Sequence, residues 1–238
     1  MIFLFTDFGA TDIYVGQVKA VLHQRAPGVP IVDLLHDAPP FNVKAGAHLL
    51  AALAARLPRG SVTLAVVDPG VGGEREAVAV NADGRWFVGP DNGLISVLAA
   101  RAAGVEAYSI GWKPESLTAS FHGRDLFAPV AAILAGGQRK SAKLKKVTLA
   151  VTFGPDDLAE IIYADHYGNL VTGVRAASVP RDWTLTINGH ELAYARVYSD
   201  VPPGQLFWCE NSLGLVEFAA NAASAQELLG FAPGSRMP

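Results

Sequence analysis

Residues 2–25 read IFLFTDFGATDIYVGQVKAVLHQR, and this stretch sets the fold class. Ile2–Phe5 is a short apolar strand that ends in Thr6-Asp7-Phe8-Gly9, a polar corner closed by a glycine. From Asp12 to Arg25 the apolar residues Val15, Val18, Val21 and Leu22 fall on one face of a helix. Asp12 is placed to cap its first turn, and Pro27-Gly28 ends it.

Working outward, the same alternation continues. Ile31–Leu35 reads as a second strand, and a helix runs from Val43 to Leu57 before Pro58. Val62–Val67 is a β-branched third strand with the composition of one buried on both faces. Alternation of this kind predicts a parallel sheet covered by helices. Ala77–Val80 and Trp86–Gly89 flank Ala82-Asp83-Gly84, a hairpin signal. A helix over Leu94–Ala103, a strand over Ala107–Ile110 and a helix over Arg124–Leu134 follow. Beyond residue 150 the pattern changes to short strands: Ile161–Ala164, Leu170–Val174, Leu185–Ile187, Leu192–Val197, Gln205–Cys209 and Leu215–Ala219. Turn sequences such as Tyr167-Gly168-Asn169 and Asn188-Gly189 separate them, which suggests a small antiparallel barrel or sandwich. The expected organisation is an N-terminal α/β domain over 1–148, a linker over 149–158 and a C-terminal β domain over 159–238.

Half of the 238 residues are hydrophobic and 17% are charged, which excludes a disordered chain and supplies a sizeable core. Net charge is −3 with no long run of either sign. The one basic cluster, Arg139 to Lys146, is short and diluted by Ser and Ala, so it reads as solvated surface and no nucleic-acid partner is expected. The single cysteine, Cys209, forms no intrachain disulfide and follows Leu206-Phe207-Trp208, the setting of a buried inert thiol. No signal peptide is visible at Met1–Phe5, and the Ala-rich stretch Ala45–Ala55 falls short of the ~20 residues that span a bilayer. A cytoplasmic location without a membrane partner is the expectation.

In open α/β sheets, ligands bind beyond the carboxyl ends of the strands. Three polar clusters fall there: Thr6-Asp7-Phe8-Gly9, Leu35-His36-Asp37 and Asp68-Pro69-Gly70-Val71-Gly72-Gly73. Asp68 stands where a buried strand emerges, with Arg75 two residues past the glycines. Asp-Pro-Gly is also ordinary turn chemistry, so a catalytic and a turn-forming Asp68 are both open. The segment lacks the Gly-Lys-Ser/Thr ending of a phosphate-binding loop. His122, in Phe121-His122-Gly123-Arg124-Asp125, precedes a predicted helix whose dipole favours neutral imidazole; an ordinary loop histidine is the other reading. There is no HxxxH, HExxH or cysteine cluster, and His36-Asp37 and Asp165-His166 lack spaced partners, so no protein-bound metal is expected. No GxSxG elbow exists for a serine hydrolase.

Six tags occur in order: Thr6-Asp7-Phe8-Gly9 with Asp12, Asp68-Pro69-Gly70-Val71-Gly72, Pro90-Asp91-Asn92-Gly93-Leu94, Phe121-His122-Gly123-Arg124-Asp125, Asp165-His166-Tyr167-Gly168-Asn169 and Asn221-Ala222-Ala223-Ser224. Together they resemble the S-adenosyl-L-methionine hydroxide adenosyltransferases, relatives of the fluorinase and chlorinase, over nearly the whole chain. The resemblance implies a Rossmann-like N-terminal domain with a mainly parallel sheet and a smaller C-terminal antiparallel β-barrel. It implies homotrimers with sites between the N-terminal domain of one subunit and the C-terminal domain of the next. The implied reaction cleaves S-adenosyl-L-methionine with water into adenosine and methionine, with no cofactor.

The family's hydroxide-using members carry an Asp-Arg-His set, matched here by Asp68, Arg75 and His122. The fluorinase has Tyr-Pro-Ala-Thr-Gly where this chain has Asp68-Pro69-Gly70-Val71-Gly72, and a halide-binding Ser where this chain has Gly123. An anionic Asp68 also repels a halide by a few kcal/mol at short range in a site of effective dielectric ~20. Of the implied binding residues, Asp7 takes the ribose hydroxyls, Asn169 reads an adenine edge, and Tyr167 and Tyr198 pack against the base. Ser212 and Asp12 hold the methionine end, Glu217 pairs with its ammonium group, and Phe41 and Ala222 complete the set. Leu213 stands where the fluorinase has a carboxylate-binding Arg. Phe8, Phe41, Val71 and Phe121 are apolar residues suited to drying such a pocket. The leaving group is a neutral thioether, so no general acid is needed. Arg75 stays charged and cannot be the base, which leaves Asp68 or His122 as proton acceptor. An adenosine or S-adenosylmethionine sensor with little turnover, and a chloride-using halogenase, would draw on the same residues.

Overall fold

The computed structural model describes residues 1–237. The chain divides into two compact units, Met1–Pro155 and Asp156–Pro238.

The first unit runs β1 (Ile2–Thr6), α1 (Ile13–Arg25), β2 (Ile31–Leu35), α2 (Val43–Ala54), β3 (Val62–Val66), β4 (Ala77–Ala82), β5 (Arg85–Pro90), α3 (Ser96–Arg101), β6 (Val105–Ile110), α4 (Ala128–Ala135) and β7 (Leu144–Lys146). Its seven-stranded sheet has the order β2-β1-β3-β5-β4-β6-β7. Pairing is parallel from β2 to β5, where helical or long crossovers connect the strands. It turns antiparallel at the β4–β5 hairpin, and β6 and β7 continue in that sense. The reversal has a local cause. Asp83 and Gly84 both take positive φ, 50° and 79°, as a two-residue hairpin turn matched to strand twist requires.

Every residue of β1 and β3 is buried, as their unbroken apolar composition predicts. Ile2, Leu4, Leu64 and Val66 share a core with Val18 and Leu22 of α1 and Val130 of α4. Asp12 caps α1 by accepting a hydrogen bond from the Ile13 N–H at 2.6 Å. The helix expected over 124–134 opens differently: Gly123–Phe127 forms a π-helical turn, and α4 begins only at Ala128. Such wide turns are rare and cluster at functional sites.

The second unit holds β8 (Leu158–Ala164), β9 (Leu170–Arg175), β10 (Leu185–Ile187), β11 (His190–Leu192), β12 (Leu206–Glu210), β13 (Leu215–Ala220) and α5 (Ala225–Leu229). A four-stranded antiparallel sheet, β12-β13-β9-β8, stands beside the separate β10–β11 hairpin. Trp208, Phe218, Leu170 and Ile161 form its core, and the Trp208 indole donates to the Trp183 carbonyl at 2.8 Å. The strand expected over 192–197 is the shorter His190–Leu192, because the Asn188-Gly189 turn pulls the pairing register toward it. Neither β7 nor α5 was legible in the sequence: each is too short to show a period, and α5 is fixed by the Ser224 side chain accepting from Glu227 N–H at 3.2 Å. Among the described residues no helix is long and apolar enough to cross a membrane.

Candidate active site

The adjacency of β1 and β3 decides where the chemistry gathers. Thr6 pairs with Val66, so Asp7 and Asp68 leave the sheet side by side. The Asn92 amide donates to the Val67 carbonyl at 2.8 Å, which fixes the backbone immediately before Asp68. Past Asp68 the chain closes tightly, with Val71 N–H donating to Asp68 O at 3.2 Å and Gly73 N–H to Gly70 O at 3.0 Å. Gly72 has φ of 81°, and a Cβ there would lie 2.5 Å from the Ala119 carbonyl oxygen. Only glycine lets this loop approach the segment that leads to His122.

Asp68, Arg75 and His122 meet. Arg75 Nε donates to both Asp68 oxygens at 3.0 Å, and Arg75 Nη2 donates to Asp68 Oδ2 as well. The same Nη2 donates to His122 Nδ1 at 2.9 Å. The Asp68 and Arg75 side chains are only 4% and 11% exposed, so this pairing is little screened by solvent. The Arg75 guanidinium also lies over the Phe127 ring, 5.4 Å from its centroid. The π-helical turn sets His122 at the head of α4. Arg124, paired with Asp125 and bonded to Gln17 of α1 at 2.8 Å, ties that turn to the unit.

Protonation follows from the contacts. Burial, reinforced by the Arg75 guanidinium, holds the His122 imidazole below the usual histidine range. Arginine only donates, so Nδ1 is the bare nitrogen and the proton of the neutral ring sits on Nε2. Burial raises the Asp7 carboxyl above the usual range; the Phe41 N–H, 3.5 Å from Oδ2, works against it, and the neighbouring Asp68 adds to the rise.

A cleft of about 390 Å³ opens on these groups. Asp68 and His122 form part of its wall, and Arg75 stands behind them. Asp7, Asp12, Phe8, Phe41, Val71 and Phe121 also line it. Phe41 is 79% exposed and takes φ of 60°, an unusual conformation for a bulky side chain. Tyr14, which the sequence did not single out, joins the lining and packs edge-on against Phe121 with centroids 5.3 Å apart. Its position two residues after the Asp12 cap was the available signal. A Cβ added to Gly123 would lie 2.9 Å from Phe8 Cζ, so the Phe8 ring occupies the space beside Gly123.

The second unit carries a cavity of about 480 Å³ lined by Tyr167, Asn169, Tyr198, Ala220, Ala222 and Ala223. Asp165 builds it: Oδ1 accepts from the Tyr167 and Asn169 N–H groups at 2.9 Å, and Oδ2 from the Asn169 amide at 2.8 Å. That orients Asn169 and leaves its carbonyl oxygen as an acceptor. Gly168 packs so closely that a Cβ would meet Ser224 Oγ at 2.1 Å. Ala222 adopts φ of 54° at the rim. Two expected binding residues lie elsewhere. Ser212 is exposed in the turn between β12 and β13 and does not line this cavity. Glu217 is buried behind it, accepting from Tyr198 Oη at 3.2 Å and Asn211 Nδ2 at 3.1 Å. Burial pushes the Glu217 carboxyl up against those two hydrogen bonds, and burial beside Glu217 pushes the Tyr198 hydroxyl up as well. Among the described residues no three His, Cys, Asp or Glu side chains gather as a metal-binding group.

Comparison with known proteins bears on both units. Residues 2–144 match the family model for the SAM hydroxide adenosyltransferase N-terminal domain, and residues 159–237 match the model for its C-terminal domain. A Thermus thermophilus protein named (R)-S-adenosyl-L-methionine hydrolase is 39% identical, over 98% of this chain and 96% of its own. A Salinispora arenicola protein of the same name is 38% identical, over 98% and 94%. A crystal structure described as an uncharacterized conserved protein from Thermotoga maritima superposes with a TM-score of 0.87 at 31% identity, covering 99% of this chain and 98% of its own.

Proposed function

Because the chain belongs to the S-adenosyl-L-methionine hydroxide adenosyltransferase family, we propose that its N-terminal cleft hydrolyses S-adenosyl-L-methionine at the ribose C5′, giving adenosine and methionine. The observation that carries this reading is one guanidinium, Arg75, gripping the Asp68 carboxylate and the His122 imidazole on the wall of a single cleft. The similar proteins are named for the R epimer at sulfur, and that epimer is the proposed substrate here.

In the proposed step a water oxygen bonds to C5′ as the C5′–S bond breaks. The bonding pair leaves with sulfur, and the sulfonium becomes a neutral thioether. His122 donates from Nε2 to the water oxygen and orients it, because Arg75 already occupies Nδ1. A ring held this way has no free lone pair for a proton, which leaves Asp68 as the acceptor. Arg75 aims Asp68, and stabilises the hydroxide character that develops on the nucleophile. Attack on a cation disperses charge, so the apolar lining of Phe8, Val71 and Phe121 favours the step over its aqueous counterpart. Water is the nucleophile and the leaving group departs neutral, so the step as written needs no cofactor.

Asp7, beside Asp68, is the proposed acceptor for the ribose hydroxyls, and Asp12 for the methionine ammonium. Asn169, Tyr167, Tyr198 and Ala222 are the proposed adenine contacts. Glu217 is assigned a supporting part, since both of its oxygens are engaged by Tyr198 and Asn211. Asp7 and Asn169 lie in different units, and Phe41 and Tyr167 are 79% and 76% exposed. A homotrimer in which one chain's adenine contacts complete a neighbour's cleft would cover both aromatics, and it is the proposed assembly.

A halide is a poor competitor in this cleft. Arg75 neutralises much of the Asp68 charge, so repulsion by Asp68 is weaker than the sequence alone suggests. Exclusion falls instead on Val71, which offers no donor, and on the Phe8 ring beside Gly123. Incubating the purified protein with each sulfur epimer and following adenosine by chromatography tests the proposal. Adenosine from the R epimer is expected. Tight binding without adenosine would make the protein a sensor, and a chloride-dependent 5′-chloro-5′-deoxyadenosine would make it a halogenase.

A further inference from the structure

Leu35-His36-Asp37, the second polar corner at the strand ends, has no part in the step above, yet its histidine is buried with both ring nitrogens engaged. His36 is 7% exposed and Thr6 is 1% exposed. His36 Nε2 lies 2.9 Å from Asp33 Oδ1, and His36 Nδ1 lies 2.9 Å from Thr6 Oγ1. Lys19 Nζ donates to the other Asp33 oxygen at 2.5 Å. Against a burial cost, the hydrogen bonds from Lys19 and His36 hold the Asp33 carboxyl below its usual range.

The carboxylate fixes the donor at one end of this line. An ionised carboxylate only accepts, so Nε2 carries the proton. The relay proposed below takes Nδ1 as the acceptor of the Thr6 hydroxyl proton. That leaves the Thr6 oxygen free to accept the Phe8 N–H in a long contact of 3.4 Å. The two corners are also joined by backbone: Gly9 N–H donates to His36 O at 2.8 Å, and Ala38 N–H to Thr6 O at 3.1 Å. Asp7 sits between Thr6 and Phe8, and the Phe41 N–H at 3.5 Å is a long contact for its carboxylate. Its aim is therefore set by the backbone on either side of it.

We propose that Thr6, His36 and Asp33 are positioning residues for Asp7, a relay running from the exposed Asp33 through the buried His36 and Thr6 that holds the Asp7 carboxylate ready for the vicinal hydroxyls of a nucleoside. The inference rests on the reading of Asp7 as the ribose acceptor. It makes the Leu35-His36-Asp37 corner part of the binding apparatus although it touches no ligand.

Calorimetry of the full chain with adenosine and with 2′,3′-dideoxyadenosine tests it, since only adenosine engages Asp7. Thr6→Val keeps the shape and removes the hydroxyl. It should weaken adenosine about tenfold, the effect of one well-placed hydrogen bond, and leave the dideoxynucleoside nearly unchanged. Thr6→Ser should restore adenosine binding. His36→Asn keeps an acceptor where Nδ1 was and should preserve the preference for adenosine. His36→Gln keeps only the donor toward Asp33 and should lose the preference as Thr6→Val does. Equal weakening of both ligands by Thr6→Val, or equal behaviour of the two His36 variants, overturns the inference while the ribose site stands. A wild-type protein that does not prefer adenosine over the dideoxynucleoside overturns the reading of Asp7 and the inference with it.

Discussion

Replacing Arg75 by lysine keeps the positive charge and removes the planar fork, so it isolates what the geometry contributes. Arg75 donates from Nε to both Asp68 oxygens at 3.0 Å, and from Nη2 to Asp68 and, at 2.9 Å, to His122 Nδ1. A lysine ammonium can hold Asp68 or His122 but lacks the spread to aim both. Hydrogen bonds to charged groups are each worth about 1.5–3 kcal/mol, so losing two costs the oriented arrangement about 3–6 kcal/mol. At 1.36 kcal/mol per decade, kcat should fall about 10²–10⁴-fold. Arg75 stands behind the cleft wall, so adenosine affinity should change by less than about threefold. Chromatographic assay of adenosine formation at saturating substrate gives kcat, and calorimetry gives affinity. An Arg75→Lys variant with nearly wild-type kcat would refute the assignment. Parallel losses in kcat and affinity would show that Arg75 acts by binding rather than by aiming Asp68 and His122.

Three further outcomes are expected. His122 is held below the usual histidine range by burial and by Arg75, and protonating it forces an N–H against the guanidinium; the acid limb of kcat/KM should therefore have its midpoint below about 6.5, and a midpoint at or above that value contradicts the neutral-ring assignment. Gly123→Ser drives its side chain into the Phe8 ring, 2.9 Å from the Cβ position; adenosine formation should fall at least about tenfold and no halide-dependent product should form, as a chromatographic assay in chloride would show. Glu217 has a raised folded-state pKa because it is buried, so the folded protein binds the extra proton and loses stability as pH rises through the window above about 4.3; Glu217→Gln should lower Tm little and make it less dependent on pH there, and an unchanged pH dependence would show that this carboxyl does not titrate in that window.

Much of the fold was legible because the first strands advertise themselves. Ile2–Phe5 and Val62–Val67 are unbroken apolar runs, and both are buried throughout. Asp83-Gly84 and Asn188-Gly189 carry the positive φ values that their hairpins demand. What stayed hidden has physical reasons. The π-helical turn at Gly123–Phe127 has no signature in a pattern read for α-helical period, since its extra residue per turn is imposed by packing. The strand Leu144–Lys146 lies at the sheet edge and is rich in lysine, which suits an edge and disguises a strand. In the site, the motifs alone leave Asp68 and His122 open to turn and loop roles; the family resemblance singles them out with Arg75, and the fold brings the three together. Their division of labour was not legible, because it depends on which His122 nitrogen faces Arg75. The Thr6–His36–Asp33 relay was invisible for a related reason: contacts 30 residues apart in sequence, such as Thr6 to His36, leave no spacing to read.

The central claim is that water bonds to C5′ as sulfur leaves. Turnover in 18O-labelled water followed by mass spectrometry of the products tests it most directly. One labelled oxygen should enter the adenosine 5′-hydroxyl and none the methionine. Unlabelled adenosine, or label in the methionine, would contradict displacement at C5′ by water.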